Sequence, residues 1–324
     1  MRKLDTYNPS IDSENQPRRK MTDVLDPILD VVGNNRRSLF PIQYPTLWEL
    51  YKAAQGAYWT PDEVADLAAD RSDWDKMDDD ERFTAKVVFG FFNVSDNIVE
   101  ENIRENLIGK IAAPEAKAFY AFQAAMEMVH SESYSKMIDS YIRDVEERNA
   151  LFNAMETMSA IRGKADWAIR WIGREASVSQ RIVAFACVEG IFFSGAFAFI
   201  FWLGERKLLA SAVTLNEYIR RDEGFHTIFA CELYSLLRDK LDEDEVLGMV
   251  DEAVKIEIQF MKEAIPNDLR GFNAVLMADY VKFVADILIG NLGYKPHYET
   301  KNPFPFMENM SMWSKHNFFE KRST

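Results

Sequence analysis

Two glutamate–histidine pairs with the same spacing are the residues best suited to chemistry in this 324-residue chain. One is Glu127 with His130, and the other is Glu223 with His226. Residues three apart on a helix lie on the same face, so each pair can present one oxygen and one nitrogen to a single point. One such pair alone is typical of a solvated pair or of a core histidine with a hydrogen-bond partner. Two pairs among apolar neighbours, using half of the four histidines, indicate a metal site instead.

Two isolated carboxylates in apolar stretches extend this set. Glu189 is the only carboxylate in residues 182–204, and Asp96 lies in the stretch FFNVSDNIV, residues 91–99. A lone buried carboxylate costs several kcal/mol unless something neutralises it. Helical bundles that hold two metals use Glu-x-x-His on two helices and one carboxylate from each of two others. The sequence therefore predicts one site built from six ligands: Asp96, Glu127, His130, Glu189, Glu223 and His226.

The charges of this set match two divalent cations. Four carboxylates bring four negative charges, which two divalent ions neutralise, while the imidazoles bind as neutral ligands. Without metal the carboxylates would repel one another, and some would take up protons. Oxygen ligands with two imidazoles and no thiolate suit iron or manganese. We expect two metal ions per chain, with iron as the first choice and manganese or a mixed pair as alternatives.

Long helices are the elements that must position these ligands. Apolar residues at helical spacing predict helices over residues 80–107, 114–144, 214–240, 242–264 and 267–290, and one that includes residues 182–204. Capping boxes are predicted at Ser177 and Thr214. No period-2 pattern predicts a sheet, so the fold class is all-α, a helical bundle. We expect one bundle domain (residues 39–293), a mobile polar arm before it (1–38) and an irregular segment packed on it (294–324).

Composition and the apolar run restrict the partners and the setting. Residues 182–204 are long enough to span a membrane, but a capping box opens the run and no basic cluster flanks it, which favours the central helix of a bundle. The net charge of −14 argues against nucleic acid or an anionic membrane as partner. Cys187 and Cys231 show no metal-like or disulfide-like spacing, and the polar start contains no signal peptide. These features predict a reducing, cytoplasmic setting.

Four blocks of sequence resemble a known family, the radical-generating small subunit of class I ribonucleotide reductase, in its eukaryote-like branch. The blocks are residues 92–102, 127–134 (EMVHSESY), 189–195 (EGIFFSG) and 221–226 (RDEGFH), within a similarity that runs from residue 40 to residue 322. The resemblance implies a ferritin-like fold, a homodimer, activation of molecular oxygen, and a large catalytic subunit that reduces ribonucleotides. It also implies metal ligation by the same six residues.

The resemblance further assigns roles to three residues near the ligands. Tyr134, four residues after His130, is implied to be oxidised to a stable radical. Trp59 matches the tryptophan that relays an electron to the metal site, and Asp222 matches the aspartate that links it to a ligand histidine. The apolar shell that such a radical requires is predicted from residues spaced by four or eight from a ligand: Phe193, Phe197 and Ile219.

Two other functions are compatible with a metal-binding bundle. A di-iron oxidase, hydroxylase or desaturase would act on a substrate of its own, and a non-catalytic iron-storage protein would take up far more than two irons per subunit. Tyr134 one helical turn after His130, together with Trp59 and Asp222, favours the radical-generating subunit over the oxidase. The length of 324 residues argues against a storage protein, whose subunits are typically much shorter. Family members carry a tyrosine in an acidic C-terminal tail, whereas the last tyrosine here is Tyr298. The resemblance therefore assigns no residue of this sequence to the transfer of the radical between the subunits.

Overall fold

The computed structural model describes residues 26–30, 36–172 and 176–308, and these residues contain no β-strand. Nine helices of ten residues or more lie in the described ranges: α1 (Pro45–Gly56), α2 (Asp79–Asn102), α3 (Pro114–Tyr141), α4 (Ser159–Ile172), α5 (Val178–Cys187), α6 (Ser194–Glu205), α7 (Ala210–Leu236), α8 (Glu243–Ala264) and α9 (Ala274–Asn291). Shorter α-helical segments are Pro61–Val64, Arg71–Trp74, Val145–Phe152 and Ala154–Thr157. Short 3₁₀ turns are Leu67–Asp70, Ile108–Lys110 and Pro305–Met307, and π-helical segments are Ile103–Leu107 and Val188–Phe192. The predicted all-α class is confirmed.

The helix starts follow capping chemistry at some positions and tertiary contacts at others. The capping box at Ser177 is confirmed, because its hydroxyl accepts from the Gln180 backbone N–H and the Gln180 side chain accepts in return. The predicted start at Thr214 is wrong, since α7 begins four residues earlier. There the Asp70 carboxylate, from the preceding part of the chain, accepts from the backbone N–H groups of Ser211 and Ala212, both at 2.9 Å.

The last long helix, in contrast, starts later than predicted, at Ala274 instead of residue 267. Its N-cap is Asn273, whose side-chain oxygen accepts from the backbone N–H groups of Val275 and Leu276. The residues between 267 and 273 form an irregular turn with an isolated bridge between Leu269 and Phe272. An Asn cap with two bonds to N–H groups fixes a start more strongly than the apolar spacing before it.

The helices α5 and α6, with the π-helical segment between them, form the centre of the bundle. The whole stretch Val178–Glu205 is long and apolar enough to cross a membrane, but 94% of its most apolar window is buried inside the protein. It is covered by α4, α7, α8 and α9, while α2 and α3 pack along each other beside it. The interpretation of this run as the central helix of the bundle is confirmed.

The ends of the chain lie partly outside the described residues. Of the predicted arm, residues 1–25 and 31–35 lie outside them, and within 26–30 the buried Ile28 accepts a backbone hydrogen bond from Ala112. Of the predicted C-terminal segment, residues 309–324 lie outside. Within 294–308 the buried Phe304 stacks on Phe272, with ring centroids 5.2 Å apart. Both cysteines are buried thiols.

Candidate metal centre

Three helical elements bring four of the six predicted ligands into one cluster. Glu127 lies on α3, Glu189 on the π-helical segment, and Glu223 and His226 on α7. Their ligand atoms all lie within 4.8 Å of one another, and all four side chains are buried. The His226 Nδ1 is 2.8 Å from Glu223 Oε2, 3.2 Å from Glu127 Oε1 and 4.0 Å from Glu189 Oε2. The two Glu-x-x-His pairs therefore meet, as their spacing predicts.

The other two predicted ligands border this cluster. The His130 Nδ1 lies 3.0 Å from Glu223 Oε1 and 3.4 Å from Glu127 Oε2, while its Nε2 lies 3.2 Å from Asp222 Oδ2. Asp96, on α2, is 1% exposed, and the carboxylates of Glu127 and Glu223 act on it electrostatically. One nitrogen of His130 thus faces the carboxylates, and the other faces Asp222.

The pKa values in the cluster show that it costs free energy to bring these charges together in a buried site. Burial, and then the charge of Glu223, raises the pKa of Glu189 well above its usual range. Burial, and then Glu127, does the same for the pKa of Asp96. Burial opposes the charged form of His226, but Glu223 and Glu127 outweigh it and raise its pKa to about 9. At neutral pH His226 therefore holds a proton that a bound cation would replace, and the raised pKa values of Asp96 and Glu189 show that the interior disfavours their charged forms.

The donor atoms left over in the cluster fit a pair of metal ions. Within the described residues, both oxygens of Asp96 and one oxygen each of Glu127, Glu189 and Glu223 make no hydrogen bond, nor does the Nδ1 of His130. The short distances from His130 Nδ1 to Glu223 Oε1 and Glu127 Oε2 are contacts without the geometry of a hydrogen bond. Buried polar atoms are nearly always paired, so such a concentration needs an explanation. Carboxylate oxygens with imidazole nitrogens are the donor set of iron and manganese sites. The cluster supports a dimetal site.

Metal uptake by this cluster is expected to release protons at pH 7. His226, with a pKa of about 9, must lose its proton to act as a ligand, and any proton that the raised pKa values of Asp96 and Glu189 retain must leave as well. The apparent affinity should therefore rise with pH up to about 9, above which His226 is already neutral. A pH indicator in weakly buffered, anaerobic solution measures the release when Mn²⁺ is added. Equal proton release at pH 7 and well above pH 9 would contradict this assignment.

Gln123 is a residue of this site that the sequence reasoning missed. It is 1% exposed, and its Nε2 donates to Glu127 Oε1 at 3.1 Å and to Glu189 Oε1 at 2.9 Å. It precedes Glu127 by four residues, so it lies on the same face of α3. That spacing was the only signal for it. Gln123 ties two carboxylates from different elements together.

Tyr134 lies in a closed pocket beside the cluster. It is fully buried, and its hydroxyl donates to Asn216 Oδ1 at 2.6 Å. The Asn216 Nδ2 donates to the Ala212 carbonyl at 2.8 Å, which fixes the amide with its oxygen toward the tyrosine. The ring of Phe92 stacks on Tyr134, with centroids 4.5 Å apart and an interplanar angle of 6°. Neither Phe92 nor Asn216 is predicted from the sequence, although Asn216 precedes Glu223 by two helical turns.

The three predicted shell residues are all buried in this region. The rings of Phe193 and Phe197 pack against Phe92, with centroids 5.3 Å and 4.9 Å from that of Phe92, so they surround the ring that covers Tyr134. Ile219 is fully buried on α7, three residues after Asn216. Burial, and then the charge of Asp96, raises the pKa of Tyr134 well above its usual range. The phenol therefore keeps its proton, and water does not reach it.

Trp59 and Asp222 make a direct link to the cluster. The Trp59 Nε1 donates to Asp222 Oδ2 at 2.7 Å, and the same oxygen lies 3.2 Å from His130 Nε2. The Trp59 ring also stacks near that of His130, at 6.1 Å and 23°. Trp59 is 3% exposed although it follows the exposed Tyr58. A continuous chain of contacts thus runs from a position just under the surface to a predicted ligand.

Comparisons with known proteins agree with this geometry. The family model described as "Ribonucleotide reductase, small chain" matches residues 36–303. The ribonucleoside-diphosphate reductase small chain of Trypanosoma brucei brucei is 48% identical over 94% of this chain and 90% of its own. A small chain of the same enzyme from Arabidopsis thaliana is 49% identical over 92% of this chain and 89% of its own. The solved structure of the Rnr4 homodimer of Saccharomyces cerevisiae has a TM-score of 0.78 at 33% identity and covers 89% of each chain.

Proposed function

Because the chain belongs to the ribonucleotide reductase small-chain family, we propose that its buried cluster holds two metal ions and that Tyr134 is the residue oxidised to a stable radical. The chain is a small subunit of ribonucleoside-diphosphate reductase, and the radical serves a large catalytic subunit that reduces the nucleotides. One observation carries the assignment to Tyr134. It is a fully buried phenol one helical turn after His130, and its hydroxyl has a fixed acceptor in Asn216.

The six predicted ligands would hold the metal ions, and Gln123 would fix two of the carboxylates. The bound metals would supply activation of molecular oxygen and the oxidising power for a nearby phenol. Iron is our first choice, and manganese or a mixed pair would use the same donor set. The oxygens without hydrogen-bond partners support this assignment.

The remaining residues of the site control the environment of Tyr134. Asn216 holds the phenolic proton between Tyr134 Oη and its own Oδ1. Phe92 covers one face of the phenol ring, and Phe193 and Phe197 pack around Phe92. Such a shell excludes water and dissolved reductants, which is the condition for a long-lived radical.

Trp59 has the contacts expected of a residue that passes an electron to the metal centre through Asp222 and His130. We expect Trp59→Phe to bind the same metals and to give at least several-fold less tyrosyl radical per chain, because the phenyl ring has no N–H for Asp222. Electron paramagnetic resonance after addition of oxygen measures the yield. Trp74→Phe is the matched control, since Trp74 is a buried tryptophan that stacks on Tyr141. Equal yields in both variants would exclude this role.

We further propose that the chain acts as a homodimer in the cytoplasm and docks on a large catalytic subunit. The similar yeast structure is a homodimer, which supports the first part. The net charge of −14 disfavours nucleic acid or an anionic membrane as a further partner.

Metal analysis combined with electron paramagnetic resonance tests the proposed function. The metal-free chain is loaded anaerobically with Fe²⁺ or Mn²⁺, exposed to oxygen, and examined for metal content and radical. About two metal ions per chain with a tyrosyl signal after iron loading is the expected result. Iron uptake far above two per chain would favour storage, and turnover of an organic substrate without radical would favour an oxidase.

A further inference from the structure

The π-helical segment that carries Glu189 leaves backbone groups outside the regular helical ladder, and side chains from elsewhere satisfy them. The Lys164 Nζ, from α4, donates to the Phe192 carbonyl at 2.7 Å. The Gly195 backbone N–H donates to the carboxylate of Glu257, from α8, at 3.2 Å. A π-helical turn widens the helix by one residue, so the groups at its end lose their usual partners. Two other helices thus supply a donor and an acceptor for backbone groups at the C-terminal end of the π-helical segment.

Lys164 and Glu257 also contact each other in the interior. The Lys164 Nζ lies 2.5 Å from Glu257 Oε2, and the two side chains are 2% and 0% exposed. The ammonium lies over the rings of Phe91 and Phe260, at 3.7 Å and 3.5 Å from their centroids. A Cβ atom on Gly195 would lie 2.5 Å from Glu257 Oε1, so only glycine lets the carboxylate approach the backbone here. The pair therefore packs directly against the C-terminal end of the π-helical segment.

The buried ion pair of Lys164 and Glu257 is not explained by a contribution to folding stability. Replacing a buried ion pair with apolar residues of similar volume is often neutral or stabilising. Burial lowers the pKa of Lys164 to about 8 and raises the pKa of Glu257 to about 7, although each partner's charge opposes the change. Both shifts show that the interior disfavours these charges. A costly pair that touches the backbone on the C-terminal side of a predicted metal ligand points to a role at that ligand.

We propose that Lys164 and Glu257 are positioning residues that hold the π-helical turn Val188–Phe192 in place and thereby fix the carboxylate of Glu189 at the metal centre. The inference rests on the proposed role of Glu189 as a ligand. Residues behind the ligands of a metal site typically change metal affinity about 10–100-fold when they are replaced. The pair acts on Glu189 through the backbone of Phe192 and Gly195, without contact to the metals.

The test replaces the pair with apolar residues. Lys164→Met/Glu257→Met leaves no unpaired buried charge, so we expect the helical content by circular dichroism to stay unchanged. The affinity for one of the two Mn²⁺ ions, measured by anaerobic titration calorimetry, should fall about 10–100-fold. The Gly195 amide should also exchange its hydrogen faster, because it loses its acceptor. The control is Lys136→Met, which removes a lysine of an exposed ion-pair group on α3 with Asp62 and Glu132.

The outcomes separate this inference from the proposed function. A wild-type chain that fails to bind two ions would refute the proposed function. A wild-type chain that binds two ions, with a double variant of equal affinity for both, would overturn only the role of the pair. A double variant that does not fold would also overturn it, because the pair would then support the whole bundle and not one turn. Weaker binding of one ion in a folded double variant, with wild-type binding in Lys136→Met, supports the proposal.

Discussion

Tyr134→Phe is expected to abolish the tyrosyl radical while the chain still binds two metal ions. The substitution removes only the hydroxyl, whose hydrogen bond goes to Asn216 and not to a predicted ligand. Phenylalanine keeps the ring that stacks on Phe92, so the pocket should stay closed. The loss of the signal should be complete, because a phenyl ring cannot lose a phenolic proton and an electron. Oxygen consumption by the iron-loaded variant should continue.

A second buried tyrosine on the same helix provides a demanding control. Tyr120 is fully buried on α3, and Glu189 is close enough to help raise its pKa, after the larger effect of burial. Its hydroxyl has no hydrogen-bond partner among the described residues, whereas that of Tyr134 has Asn216. A phenol without an acceptor cannot hand over its proton, so Tyr120→Phe should keep the full radical signal. A wild-type spectrum from Tyr134→Phe, or its loss in Tyr120→Phe, would place the radical elsewhere.

Glu189→Ala and His226→Ala are expected to reduce the metal content below two ions per chain. Each substitution removes a donor from the four-residue cluster. The metal-free Glu189→Ala protein should melt at an equal or higher temperature than the wild type, because it loses a carboxylate that burial and its neighbours disfavour. The stabilisation on adding metal should shrink. For the wild type it is about 2.7 kcal/mol for each bound ion when free metal exceeds the Kd 100-fold.

Glu115→Ala is the matched control for these two variants. Glu115 is a fully buried carboxylate on α3, but it pairs with Arg36 and accepts from the Gln43 backbone N–H at 2.7 Å. Its loss should lower the melting temperature, because the Arg36 charge remains without its partner. It should leave the metal content at the wild-type value. Full stoichiometry in both Glu189→Ala and His226→Ala would refute the ligand assignment.

The parts of the site that the sequence predicts are those that local geometry decides. A glutamate and a histidine three apart must share a helical face, so each pair presents two donor atoms to one point. That the pairs meet follows from the general plan of helical bundles that hold two metals. The isolated carboxylate of Glu189 is conspicuous in the sequence because the energetic cost of burying it demands a partner. The all-α class follows from the same helical periodicity. None of these inferences needs a particular hydrogen bond between distant residues to be known in advance.

The parts that the sequence does not predict depend on such contacts. Gln123 and Asn216 carry neutral amides. An amide in the sequence does not stand out as the isolated carboxylate of Glu189 does, because no buried charge demands a partner. The π-helical turn at Glu189 depends on Lys164 and Glu257, which come from other helices. The start of α7 depends on Asp70, 141 residues before Ser211. Local capping patterns carry no information about an acceptor so far away.

Trp59 and Asp222 illustrate the value and the limit of a resemblance. They are 163 residues apart, and neither spacing nor composition predicts the 2.7 Å hydrogen bond between them. By itself the sequence offers only a core aromatic and an acid next to Glu223. The resemblance singled out both, and the structure places them in contact. Their roles in electron transfer stay predictions until the Trp59 variant is measured.

The order in which the central stretch Val178–Glu205 acquires its neighbours has a consequence for synthesis. Much of its cover comes from α7, α8 and α9, which follow it in the chain. While the ribosome is still making these helices, the most apolar segment of the protein has emerged without them. Partly folded chains in which α7, α8 and α9 have not yet packed therefore expose an apolar surface prone to self-association. The apolar stretch and the metal centre are therefore completed together, because the helix α7 that covers the stretch also carries Glu223 and His226.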